Sequence, residues 1–73
     1  MNQTAIGGYI ARKRKEQNLT QEQLAQVTGI NQANISRLEN GTANPSLRTL
    51  KRLAEGMGME LKLEFVPRVQ PQH

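Results

Sequence analysis

Gln32, Ala33, Ser36 and Arg37 have the residue types and the spacing to read a polar ligand. They fall three and four apart within NQANISRLEN, residues 31–40, so on a helix they line one stripe that Asn40 extends. A glutamine amide can bond adenine through two atoms, donating to N7 and accepting from the N6 amino group. Arginine suits guanine O6 and N7, a serine hydroxyl serves either base type, and an alanine methyl can meet that of thymine. The partial positive charge at the start of a helix would help Gln32 approach a polyanion. Ile35 and Leu38, on the other side of the same stretch, are spaced to point inward together.

The surrounding residues read as a frame for that stripe. Thr20 is a good N-cap, and Gln23 three residues on completes a capping-box pattern. Leu24 and Val27 give this first helix an apolar face, Ala25 is small enough to let another helix approach, and Gly29 ends it. Asn31 can cap the second helix and Gly41 can close it. Upstream, residues 5–17 read as a helix with Ile6 and Ile10 inward and Tyr9 at the rim, although Gly7 and Gly8 weaken its first turn. Leu19 drops into the core at the following turn. Downstream, residues 42–46 read as a loop, and either Pro45 or Ser46 can start the next helix. Leu47, Leu50, Leu53 and Ala54 repeat at three and four along it, with Gly56 and Gly58 at its end.

Residues 59–66 change period. Met59, Leu61, Leu63 and Phe65 alternate with Glu60, Lys62 and Glu64, the pattern of a strand with one apolar face. No other stretch reads as a strand, and a lone strand needs a partner for its amides and carbonyls. The simplest partner is the same strand of a second copy, antiparallel about a two-fold axis. Pairing centred near Lys62 sets opposite charges diagonally or directly across. The alternative for this segment is a fifth helix, or a tail packed on the bundle. Residues 1–4 and 67–73 carry no pattern and read as flexible ends.

Composition narrows the function classes. The 73 residues make one domain with a small core, and they hold one Phe, one Tyr and no Trp. There is no Cys and no Asp, and the single His is the last residue. Disulfides, thiolate or His metal clusters, hydrolytic triads and His–carboxylate pairs are therefore excluded within one chain, and no cofactor, metal or enzymatic activity is expected. A net charge of +4 favours an anionic partner. No apolar run approaches the roughly 18 residues that would span a bilayer, and the N-terminus lacks a signal-peptide core. A cytoplasmic protein with no membrane partner is expected.

Residues 6–58, about three quarters of the chain, resemble the Cro/phage-repressor (XRE-like) helix-turn-helix domains of bacterial regulators. Gln-x-x-Leu-Ala, Ile-Ser-x-x-Glu-x-Gly and Pro-Ser-Leu-x-Thr-Leu stand in register at that family's spacing. Helical domains ending in a strand are similar to the HipB- and HigA-type antitoxin repressors in particular. The resemblance implies a mainly α, lambda-repressor-like bundle of four helices over residues 5–58, with the strand at 59–66 pairing across a dimer. It implies a structural ion pair between Arg14 and Glu39, which would make Glu39 architectural rather than a ligand contact. It further implies base contacts from Gln32, Ala33, Ser36 and Arg37, with phosphate contacts from Gln21, Asn31, Asn34, Asn40 and Thr42. Arg48 and Lys13 are weaker candidates for the same duty. The expected partner is double-stranded DNA with a palindromic operator, bound by a homodimer on the nucleoid. The alternative function is that of an antitoxin, which binds a toxin protein as a further partner and represses its own operon.

Overall fold

Four helices make up most of residues 3–69, the part of the chain that the computed structural model describes: α1 (Gln3–Glu16), α2 (Gln21–Thr28), α3 (Gln32–Glu39) and α4 (Leu47–Gly56). Their ends are written in local hydrogen bonds. The Gln23 amide donates to Thr20 Oγ1 at 3.0 Å and the Thr20 amide donates to Gln23 Oε1 at 2.8 Å, a reciprocal cap that starts α2. Gly29, at φ 74°, closes α2 in the left-handed region that glycine enters without steric penalty. Asn31 Oδ1 accepts from the Ala33 amide at 2.8 Å and caps α3, so Asn31 stands just outside the helix. Of the two candidates for starting α4, Ser46 takes the role, accepting from the Thr49 amide at 3.1 Å.

Two ends differ from the sequence reading. α1 begins at Gln3, so residues 3 and 4 belong to the helix and not to a loose end, whereas Met1 and Asn2 lie outside the described residues. The same helix stops at Glu16. Asn18 then turns the chain at φ 59°, a conformation that its short polar side chain tolerates.

The core is aliphatic. Ile10, Leu24, Ile35, Leu38, Leu53 and Met57 form its centre, with Ile6, Leu19, Ala25, Ile30, Leu50 and Met59 packed around them. Fully burying one such side chain contributes about 1.5–3 kcal/mol. α1 packs on α3, and α2 packs on both α3 and α4. Gly7 makes the first contact possible: a Cβ there would lie 2.4 Å from the Leu38 carbonyl oxygen. Its cost to α1 is the condition for the close approach of α3. Gly56 plays the same part between α4 and α2, where a Cβ would meet the Thr28 methyl at 2.5 Å.

Val27 and Leu47, read as inward, are 59% and 62% exposed. Leu47 opens α4 at the end remote from buried Leu53, Ala54 and Met57, and Val27 lies three residues beyond buried Leu24 near the close of α2. Periodicity marks a face, but the reach of the neighbouring helices decides how much of it is covered.

The strand expected over 59–66 does not form in the single chain, where residues 59–69 hold neither helix nor strand. A ladder needs a second edge, and the described helices offer none. Met59 and Leu61 are half-buried while Glu60 and Lys62 are exposed, so the alternation persists in burial. From Leu63 onward every described residue is exposed. Of the tail expected at 67–73, residues 70–73 lie outside the described part.

Candidate nucleic-acid interface

The outward side of α3 gathers the candidate readers. Gln32, Ala33 and Arg37 are exposed and Ser36 is half-buried, while Ile35 and Leu38 on the inner side are 0% and 5% exposed. Asn34 is exposed and accepts a hydrogen bond from Arg37 Nη2, one turn further along the same helix. This contact tethers the guanidinium beside the stripe.

The far end of α3 is closed by the next candidates. Asn40 Oδ1 accepts from the Thr42 amide at 3.0 Å and from the Thr42 hydroxyl at 2.7 Å, and the same amide also donates to the Arg37 carbonyl at 2.9 Å. Asn40 and Thr42 are both exposed, so they turn the chain and present polar atoms at once. Asn31 uses its side-chain oxygen on the cap, and its side chain lies on the surface.

Behind the stripe, a polar network fixes the pose of α3. Arg14 Nε donates to Glu39 Oε2 at 2.7 Å and Nη2 donates to Oε1 at 3.0 Å, a two-pronged contact between side chains only 11% and 7% exposed. Arg14 Nη1 donates to the Leu19 carbonyl at 2.7 Å, and Gln21 Nε2 adds a bond of 3.0 Å to Glu39 Oε1. One guanidinium thus ties α1 to the turn before α2 and to the last turn of α3. Burial opposes ionisation of Glu39. Hydrogen bonds from Arg14 and Gln21, with the charges of Arg14 and Lys15, outweigh it and hold the carboxyl below its ordinary range. The hydrogen bond to Glu39 raises the Arg14 pKa in turn.

Sequence reasoning gave Gln21 a phosphate to hold and missed its bond to Glu39. The available signal was that a carboxylate beside one arginine still has accepting capacity, which a nearby amide can fill. The weaker candidates are a solvent-exposed Arg48 and Lys13, which pairs with Glu16 at 3.4 Å. Among the described residues, no group of three His, Cys, Asp or Glu side chains gathers where a metal ion could be held.

The Helix-turn-helix family profile matches residues 10–63, which include α2, α3 and α4 entire. The chain belongs to the Cro/phage-repressor helix-turn-helix family. It is similar to an uncharacterized HTH-type transcriptional regulator of Sinorhizobium fredii, 41% identical over 54 residues that cover 74% of this chain and 70% of the relative. It is also similar to the ImmF control region 10 kDa protein of Bacillus phage phi105, 34% identical over 89% of this chain and 72% of that protein. Among solved structures, the restriction-modification controller protein C.AhdI of Aeromonas hydrophila superposes with a TM-score of 0.75 at 28% identity, covering 78% of this chain and 86% of its own. This helix-turn-helix chain is accordingly a DNA-binding transcription regulator of the repressor type. Among its described residues, no helix is long and apolar enough to cross a membrane.

Proposed function

We propose that the chain acts as a homodimeric repressor that reads a palindromic operator by inserting α3 into the major groove. One observation carries this reading: Gln32, Ala33 and Arg37 lie together on the exposed side of a helix whose opposite side is anchored by fully buried Ile35. Gln32 reads adenine and Arg37 guanine, while Ala33 and Ser36 complete the contact with a thymine methyl and a neighbouring base edge. Gln21, Asn31, Asn34, Asn40 and Thr42 hold phosphates and set the register, which base contacts alone do not fix. Gln21 does so with the amide hydrogen that Glu39 does not engage. The net charge of +4 draws the duplex.

The dimer follows from magnitudes. Each good base contact discriminates by about 1–3 kcal/mol, and one short helix offers few of them. Two copies on half-sites about one helical turn apart roughly double that. Met59, Leu61, Leu63 and Phe65 supply the apolar face through which the copies meet, on a strand that forms only when paired. Such a repressor works in the cytoplasm, on the nucleoid.

The deciding experiment is selection of binding sites from random duplex DNA. A two-fold symmetric consensus with half-sites about one turn apart is expected, and recovery of no consensus overturns the reading. The exposed Leu63, Phe65 and Val66 also support a second reading, an antitoxin whose apolar edge is covered by a toxin protein. A pull-down from cells separates the two: the first reading expects the dimer to come down alone, the second expects it to carry a toxin protein.

A further inference from the structure

A groove of about 330 Å³ runs between α1 and α4. It exists because α1 rests chiefly on α3 and α4 on α2, which leaves a gap between the outer pair. Ile6 and Tyr9 line one wall, Leu50 and Met57 the other, and Met59 and Leu61 also border it. The segment that borders the groove then outruns it. Leu63 is 64% exposed and Phe65 fully so, although both belong to the same apolar face as Met59 and Leu61. Glu60, Lys62 and Glu64 hold the alternate positions and are exposed, Glu60 and Lys62 also bordering the groove, and Lys62 Nζ lies 3.9 Å from Glu60 Oε1.

We infer that a second copy covers this groove, its segment running antiparallel about a two-fold axis through Leu63, so that Phe65 of the second copy lies over Leu61 at the groove. The inference rests on the homodimer proposed above and adds its register and its occupant. Residues directly opposite in an antiparallel pair share a face, so only an axis through a residue matches apolar with apolar. An axis through Lys62 itself, contrary to the direct matching expected from the sequence, opposes Lys62 to itself and Glu60 to Glu64, like charge against like, and leaves opposite charges only on the diagonals. One through Leu61 matches Glu60 with Lys62 but opposes Phe65 to Met57, whose amide is already spent on the Leu53 and Ala54 carbonyls at 3.1 Å. Through Leu63, Lys62 meets Glu64 twice and Leu61 meets Phe65 twice.

Backbone donors agree with the last register. It opposes Met59 to Pro67. Proline has no N–H, and the Met59 amide already donates to the Ala54 carbonyl at 2.8 Å. Neither residue has an amide to exchange, so theirs is a non-hydrogen-bonded pair. Pairs alternate in type along the ladder, so Leu63 opposite Leu63 is also non-hydrogen-bonded, the closer kind, with Cα atoms about 4.5 Å apart.

That separation falls within disulfide range, and the chain contains no cysteine to confuse the result. Under mild oxidation, Leu63→Cys is expected to cross-link into a covalent dimer. Leu61→Cys and Phe65→Cys should each remain uncrosslinked alone and cross-link when mixed. Glu64→Lys should weaken dimerisation on the order of tenfold in sedimentation, and adding Lys62→Glu should restore it. Cross-linking through Leu61→Cys but not Leu63→Cys overturns the register, as does a dimer weakened by Glu60→Lys and indifferent to Glu64→Lys. A chain that is monomeric at all concentrations overturns the inference itself. Operator binding by each variant, set against Gln32→Ala, keeps such a failure distinct from failure of α3 as the reader.

Discussion

At the scale of single residues, Glu39 and Arg14 hold α3, the proposed reader, against α1 and the turn before α2. Leaving one partner of a buried ion pair uncompensated costs about 3–5 kcal/mol, a large fraction of what so small a domain possesses. Glu39→Ala is therefore expected to lower the urea midpoint sharply or abolish the transition, as followed by far-ultraviolet circular dichroism. Because the folded carboxyl titrates below its ordinary value, its contribution is complete above the unfolded pKa, about 4.3 for a glutamate. It is lost as pH falls through the lower folded value. Stability should thus fall on acidification below about pH 4, and the fall should be shallower in Glu39→Gln. Gln32→Ala and Arg37→Ala are expected to leave the unfolding curve unchanged, since both side chains are exposed. Each should narrow the gap between the preferred and a mismatched operator by about 1–3 kcal/mol. An unaltered base preference in both, measured by competition binding, would falsify the assignment of α3 as reader.

At the scale of elements, what was legible in the sequence is what is local. The Thr20–Gln23 cap joins residues three positions apart, Asn31 and Ser46 accept from amides two and three positions on, and the Gly29 amide donates to the Ala25 carbonyl four positions back. The stripe of Gln32, Ala33, Ser36 and Arg37 follows from helical period once those ends are placed. Contacts between elements were not legible. The Gln21–Glu39 bond joins positions 18 apart, and the Arg14–Glu39 pair came from family resemblance, not from any pattern in the residues. Helix propensity treats the neighbouring Gly7 and Gly8 alike, as weaknesses in the first turns of α1. The fold separates them: a Cβ at Gly7 would strike the Leu38 carbonyl, whereas one at Gly8 would meet nothing within 4 Å. Gly7→Ala should therefore destabilise by about 1–3 kcal/mol as α1 and α3 are forced apart. Gly8→Ala should stabilise by about 0.5–1 kcal/mol. Thermal melts of the two variants moving in the same direction would contradict this account of the α1–α3 contact.

At the scale of the whole molecule, charge and association set the working range. If a dimer neutralises about six to ten phosphates, its affinity should drop roughly 10³- to 10⁵-fold between 50 and 200 mM salt. Titrations at four or five salt concentrations give the slope, and a flat line would exclude a duplex as the ligand. The segment after α4 shows where sequence stops: alternation in residues 59–66 reports which side chains share a face, but pairing is a property of two chains. The placement of aromatic rings has a practical result. The buried core is wholly aliphatic, Tyr9 is half-exposed at its rim, and Phe65 stands clear of the domain. Near-ultraviolet absorbance and fluorescence are thus nearly blind to melting of the interior. Phe65→Trp would turn that blindness to use, giving an optical reporter that responds when two copies come together and stays silent while each one merely folds.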